Sequence, residues 1–332
     1  MKKSAVSLWM LPGFAISLSL TCSLSAWAQI GPTPDAEVEA IILDPYSPTT
    51  IYAGTDDGMW KTTDGGQRWS LINDGIIGTT YSNLAIDPTD TNIVYMGTQG
   101  DGLFKTINGG ESWSYSAGAY HPVVKSISID PTYPNVVYMG AFRGIYRSYD
   151  RGGSWTELPY QYGISEGVLA ILNDPTSFST IYIGTNRDGV LKSTSSGSSW
   201  LSTNLPDWIV GALAMDLRNH NTIFASTGVG GIAHIFKSTN GGSSWTQVLE
   251  IDPGGGTSII FDSANPDTMY AGFYYGGVYK STDGGNSWSA SSTGLLNPNV
   301  TSMGVDAVNG IVYAATYGNG IFVSYDGGQT WF

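Results

Sequence analysis

A seven-bladed β-propeller, all-β with four short strands to a blade, is the fold that three observations predict. The first is a box, Ser/Thr-x-Asp-x-Gly-x-x-Trp, which occurs seven times, as in STDGGNSW at 281–288. The second is its period: Trp69, Trp113, Trp155, Trp200, Trp245, Trp288 and Trp331 stand 42 to 45 residues apart. The third is what lies between the boxes. Short alternating and β-branched runs are separated by Gly, Pro and Asp turns, and four strands in a unit of this length is a blade.

Taken in order, each unit opens on an alternating run that ends at Asp44, Asp87, Asp130, Asp174, Asp216, Asp262 or Asp306. A turn, often with Pro, leads to a second β-rich run such as Ile51-Tyr52-Ala53-Gly54. A Gly-containing turn follows, then a third run such as Val278-Tyr279-Lys280-Ser281, the box, and a fourth strand from the tryptophan. The box closes the hairpin between the third and fourth strands. Its Asp (Asp64, Asp150, Asp283, Asp326) or Asn (Asn108, Asn240) accepts hydrogen bonds from its own turn, and Ser195 does so weakly in the fourth unit. Its glycines supply positive φ, and the tryptophan fills the space between blades. Seven copies suit architecture and not a single active site. The chain ends at Phe332, one residue past the last box; residues 29–37, with Pro32 and Pro34, are a candidate clasp where the seventh blade lacks its outer strand, and truncation of the natural chain is the rival explanation.

Residues 1–28 read as a secretory signal: Lys2 and Lys3, an apolar run, and Ala26-Trp27-Ala28 before cleavage. A retained anchor is the alternative, and a lipid on Cys22 a third. Cleavage removes the one cysteine, and with it disulfides and thiol chemistry. It also removes two lysines, taking the net charge from −13 to −15. So acidic a chain is repelled by phosphate backbones and anionic bilayers, so neither nucleic acid nor a membrane is an expected partner. The expected product is a secreted or periplasmic monomer, residues 38–332 forming the propeller.

The box resembles the Asp-box, or BNR repeat, of sialidases, xyloglucanase-type glycoside hydrolases, sortilin-like receptors and Ycf48-type photosystem II assembly factors. The phrases DPYSPTTIYAGT and GVYKSTDGGNSW look most like the xyloglucanase-type repeats. The resemblance implies that any active site lies on the face opposite the boxes. There the second-to-third strand turns place Asp57, Asp101, Arg143, Arg187, Asp188, Tyr274, Tyr275 and Tyr317, with Tyr162, Asp207 and Trp208 on inter-blade loops. Rings flanked by carboxylates and amides suit sugars or a protein hot spot.

A sialidase-like site needs three converging arginines, and only Arg143 and Arg187 project from this face. A xyloglucanase-like pair needs two carboxylates, for which Asp57 and Asp101 on adjacent blades are candidates. Those enzymes resemble paired propellers, and one propeller is read here. His121, His220 and His234 are scattered, and no metal or cofactor is expected. Gly254 to Gly256 read as a loop after Pro253, without the helix a phosphate cradle needs. The main expectation is therefore a non-catalytic scaffold for a glycan or protein ligand, and the alternative is a glycoside hydrolase.

Overall fold

The computed structural model describes residues 32, 36–77, 81–116, 123–159, 167–228 and 231–332. The signal segment 1–28, Cys22, His121 and Tyr162 lie outside them. The described chain is all strand, turn and loop. Units one to four each form one four-stranded antiparallel sheet in simple up-and-down order. In the first, Val38–Leu43 pairs with Ile51–Thr55, then Gly58–Thr62, then the two-residue Ser70–Leu71.

Units five and six share one seven-stranded sheet, a departure from separate units of four. A single 16-residue strand, Thr246–Phe261, closes unit five and opens unit six. Gly254 and Gly255 pair to opposite sides, with Gly231 and Tyr274, so the expected glycine loop is strand. Small residues let the backbone cross between two sheets without a side chain to accommodate. His234 lies in the third strand Gly231–Ser238, which this pairing lengthens. Unit seven has three strands, and Phe332 exchanges both backbone hydrogen bonds with Val323. Most of the expected clasp, residues 29–31 and 33–35, lies outside the described residues; Ala36 accepts from Gly320 N–H and Glu37 bridges to Tyr317.

The first strands, Val38–Leu43, Tyr81–Ile86, Val124–Ile129, Val168–Asn173, Val210–Met215, the second half of Thr246–Phe261, and Val300–Asp306, contact one another in sequence. The last touches the first again, where Thr301 Oγ1 donates to Val38 O at 2.5 Å. Among the described residues the core is divided into seven apolar clusters that lie between neighbouring units; in one, Val38 and Ile51 pack with Tyr313 and Val323. That is how sheets stacked side by side must bury their faces.

The repeated phrase Tyr-x-Gly-Thr has a packing reason. A Cβ at Gly184 would meet Val210 Cγ1 of the next unit at 2.7 Å, and one at Gly272 would meet Val300 Cγ1 at 2.6 Å. Gly140 faces Val168 in the same way. The fifth seam reverses the pair. Ser226 occupies the second-strand position, Gly256 replaces the valine, and a Cβ on Gly256 would lie 2.1 Å from Ser226 Oγ. Volume is exchanged across the seam, as close packing requires.

Candidate functional site

The two ends of the strands carry different chemistry. At one end all seven box turns share a hydrogen-bond pattern. The first hydroxyl receives the N–H four residues on, as in Gly152 N to Ser148 Oγ at 2.8 Å. The third residue receives the N–H four residues on from itself, as in Ser154 N to Asp150 Oδ1 at 2.8 Å. Ser195 does this too, accepting from Ser199 N at 3.0 Å. The side-chain hydroxyls of Ser148 and Ser154, with Ser154 N–H, hold the Asp150 carboxyl down at about 2. Asp283 is held there chiefly by Ser287. Asp44, Asp87, Asp130, Asp174, Asp216, Asp262 and Asp306 cap the neighbouring first-to-second strand turns, for example with Tyr46 N on Asp44 Oδ1 at 2.9 Å. A backbone bond from Gly65 N to Thr49 O joins the two kinds of turn, so both lie on one face.

The box tryptophans reach across the seams. Trp113 Nε1 donates to Ile72 O, Trp155 to Ser116 Oγ, Trp245 to Thr203 Oγ1 and Trp331 to Ser291 O, each in the preceding unit. Trp69 stays local, donating to Gly66 O at 3.1 Å. Trp200 is fully buried, and Trp288 packs between units five and six.

On the opposite face the first strands surround an axial cavity of about 500 Å³. Glu39, Lys125, Leu169, Gly211, Thr257 and Thr301, each at the register irregularity near the start of its first strand, are among the residues that line it. Burial raises the Glu39 carboxyl above its usual range, Glu37 raises it further, and Lys125 opposes them.

Tyr274 lines the same cavity and centres an aromatic cluster. Its ring lies 4.6 Å from Tyr275 and 5.9 Å from Tyr317, edge-on to both. Tyr275 takes a left-handed φ of 67°, and its N–H donates to Asn299 Oδ1 at 3.1 Å. Asn297 Nδ2 holds Tyr317 O and Gly318 O at 2.7 Å. A hydrogen bond between the Tyr317 hydroxyl and Glu37 raises that phenol. Asparagine side chains thus fix two loops so that three rings meet beside two glutamates.

Of the residues expected on this face, the structure brings together Tyr274, Tyr275 and Tyr317. Asp57 and Asp101 are exposed in corresponding turns, their N–H groups donating to Thr55 and Thr98 Oγ1 at 3.2 and 2.9 Å. Among the described residues no hydrogen bond or ion pair joins the two carboxylates. Arg143 lies 5.9 Å from the Phe142 ring, and Arg187 and Asp188 are exposed. Trp208 is 72% exposed, in a separate pocket with Asp207 and Ile232.

Sequence reasoning missed Glu37, Glu39, Lys125, Asn297 and Asn299. A signal for two of them existed: Glu39 in VEAIIL and Lys125 in VKSISI are charges inside first-strand runs, at the same register. Among the described residues no group of three or more His, Cys, Asp or Glu could hold a metal ion, and no helix is long and apolar enough to cross a membrane.

No family model matches the chain. A xyloglucanase from Paenibacillus sp is 26% identical over 233 residues, 64% of this chain and 21% of that protein. The structure of the GH74 xyloglucanase from Xanthomonas campestris superposes with a TM-score of 0.72 at 17% identity, over 92% of this chain and 55% of the enzyme. Ycf48 bound to a D1 peptide superposes with a TM-score of 0.63 at 16% identity, over 88% of this chain and 93% of Ycf48. The fold is a β-propeller. The chain spans about a fifth of the curated relative and about half of the xyloglucanase structure.

Proposed function

We propose that the chain is an exported seven-bladed propeller of Asp-box type that acts on a β-glucan of the xyloglucan kind as a glycoside hydrolase. The observation that carries this reading is the Tyr274, Tyr275 and Tyr317 cluster beside Glu37 and Glu39 at the mouth of the axial cavity. Tyrosine rings offer flat apolar faces with a polar tip, which suits the alternating CH and OH surfaces of a pyranose. Glycoside hydrolysis needs one carboxyl that keeps its proton near neutral pH and a second that is ionised. The raised pKa of Glu39 fits the first role. Glu37, Asp56, Asp57 and Asp101, near the first two second-to-third strand turns, are candidates for the second. The xyloglucanase relative favours this reading over the non-catalytic one first expected.

The test scores binding and reducing-end release together on a panel of plant and bacterial polysaccharides. Xyloglucan or a related β-glucan is expected to bind, with binding weakened at least about tenfold by Tyr274→Ala, and release is expected to disappear in Glu39→Gln. Release that persists unchanged in Glu39→Gln overturns the assignment of the acid. A glycan- or protein-binding scaffold is the second reading, favoured by Ycf48, a propeller of this size whose structure holds a peptide. Binding without release selects it.

A further inference from the structure

The loop before the fifth first strand carries a second pocket, of about 340 Å³, lined by Pro206, Asp207, Trp208, Ile209, Gly228 and Ile232. Such a volume is at the lower end of small-ligand clefts, roughly 300–1,000 Å³. Its ring, Trp208, is 72% exposed and sits on a backbone tied by the same kind of bonds that join Gly277 to Pro298 and Tyr317 to Asn299 in later units. Trp208 O accepts from Gly189 N at 3.0 Å on one side, and Ile209 O accepts from Gly228 N at 3.1 Å on the other. Asp207 Oδ2 is held by Thr227 Oγ1 at 2.5 Å and by His234 Nδ1 at 2.6 Å. Glu250 stands 3.5 Å from His234 Nε2 on the far side of the ring.

Two turn glycines, Gly189 and Gly228, and two strand side chains, Thr227 and His234, therefore hold a loop whose largest side chain faces water. The backbone bonds belong to the fold; what distinguishes this loop is the Asp207 carboxylate beside the indole, held by Thr227 and His234. Preorganisation of an aromatic anchor lowers the entropy cost of binding. Both of these hydrogen bonds fall on Oδ2, and among the described residues none falls on Oδ1 of Asp207, a residue that lines the pocket.

We propose that Trp208, Ile232 and Asp207 form a subsite for one neutral pyranose ring of a glycan chain, with His234 as its positioning residue. The proposal rests on the glycan reading above and adds a second contact on the same face. The indole and Ile232 supply the apolar platform, and Oδ1 accepts a sugar hydroxyl. A neutral sugar fits better than an acidic one, because Asp207 and Glu250 stand beside the platform in a chain of net charge −13.

The experiment titrates soluble β-glucan oligosaccharides into the full chain and into the Trp208→Ala, His234→Gln, His234→Leu and Tyr274→Ala variants. Binding is read by calorimetry, and thermal midpoints by circular dichroism. Acrylamide quenching of tryptophan fluorescence is measured with and without ligand. Trp208→Ala is expected to keep the wild-type midpoint, weaken binding at least about tenfold, and abolish the ligand's protection from quenching. His234→Gln, which retains an N–H for Asp207, is expected to bind more tightly than His234→Leu. Unchanged binding by Trp208→Ala, while Tyr274→Ala weakens it, overturns the subsite and leaves the glycan reading intact. No binding of any glycan by the wild type overturns both.

Discussion

At the scale of single residues, the seams between units are set by which side of each contact carries a side chain. Gly184 faces Val210 and Gly272 faces Val300, whereas Ser226 faces Gly256. Gly256→Val is therefore expected to overpack its seam and to destabilise by about 1–3 kcal/mol. Adding Ser226→Gly converts the fifth seam to the arrangement of the fourth and sixth. The double variant is expected to recover part of the loss, a coupling that urea midpoints of the four proteins in the cycle would measure. Strict additivity would show that the two positions do not share the space. Neither glycine needs positive φ here; what matters is the missing Cβ.

At the scale of elements, the second and third strands of one unit hold the box of the next. Tyr270 Oη and Lys280 Nζ both donate to Gly327 O, at 3.0 and 2.6 Å, with the ammonium 5.4 Å from the tyrosine ring centre. Tyr52 and Lys61 treat Gly109 O the same way, and Tyr182 and Lys192 treat Gly241 O. In unit three the cation is Arg147, donating to Ser196 O. Unit seven has Val323 instead, buried in the cluster it forms with unit one. Lys280→Met keeps the apolar stem and removes the charged donor. It is expected to cost about 1–2 kcal/mol, less than a fully buried charged bond because water can partly replace it. An unchanged thermal midpoint would show that Tyr270 alone suffices.

At the scale of the whole molecule, the ring gathers its first strands around a shared axis, and Glu39 bears the cost. Its folded-state pKa is raised, first by burial and then by Glu37. Below the ordinary carboxylate range it is protonated folded and unfolded alike and costs nothing. As pH rises through the folded value, ionisation within the ring is disfavoured and stability falls. Glu39→Gln is therefore expected to be more stable than the wild type at pH 7, and the gain should vanish in acid. Chemical denaturation at both pH values checks this. A gain of equal size at both would show that ionisation is not its source.

The box period and the strand runs were legible in the sequence, because each box closes its own turn within eight consecutive residues. Asp150 needs only Ser148 and Ser154. Tyr274 and Tyr317 were legible as loop residues on one face, but not as partners: they are brought to 5.9 Å by Asn297 and Asn299 and by the packing of units six and seven. The joined sheet of units five and six was hidden for a similar reason. Gly254 to Gly256 carry turn chemistry, and only pairing with Gly231 on one side and with Tyr274 and Phe273 on the other makes them strand. By itself, then, the sequence determined what local hydrogen bonds and side-chain period can determine: repeated strands, turn chemistry and the face each turn occupies. Tertiary structure alone decided which charges share the axis, which rings meet and how Trp208 is held, because those neighbours are distant in the chain and come together only when the ring closes.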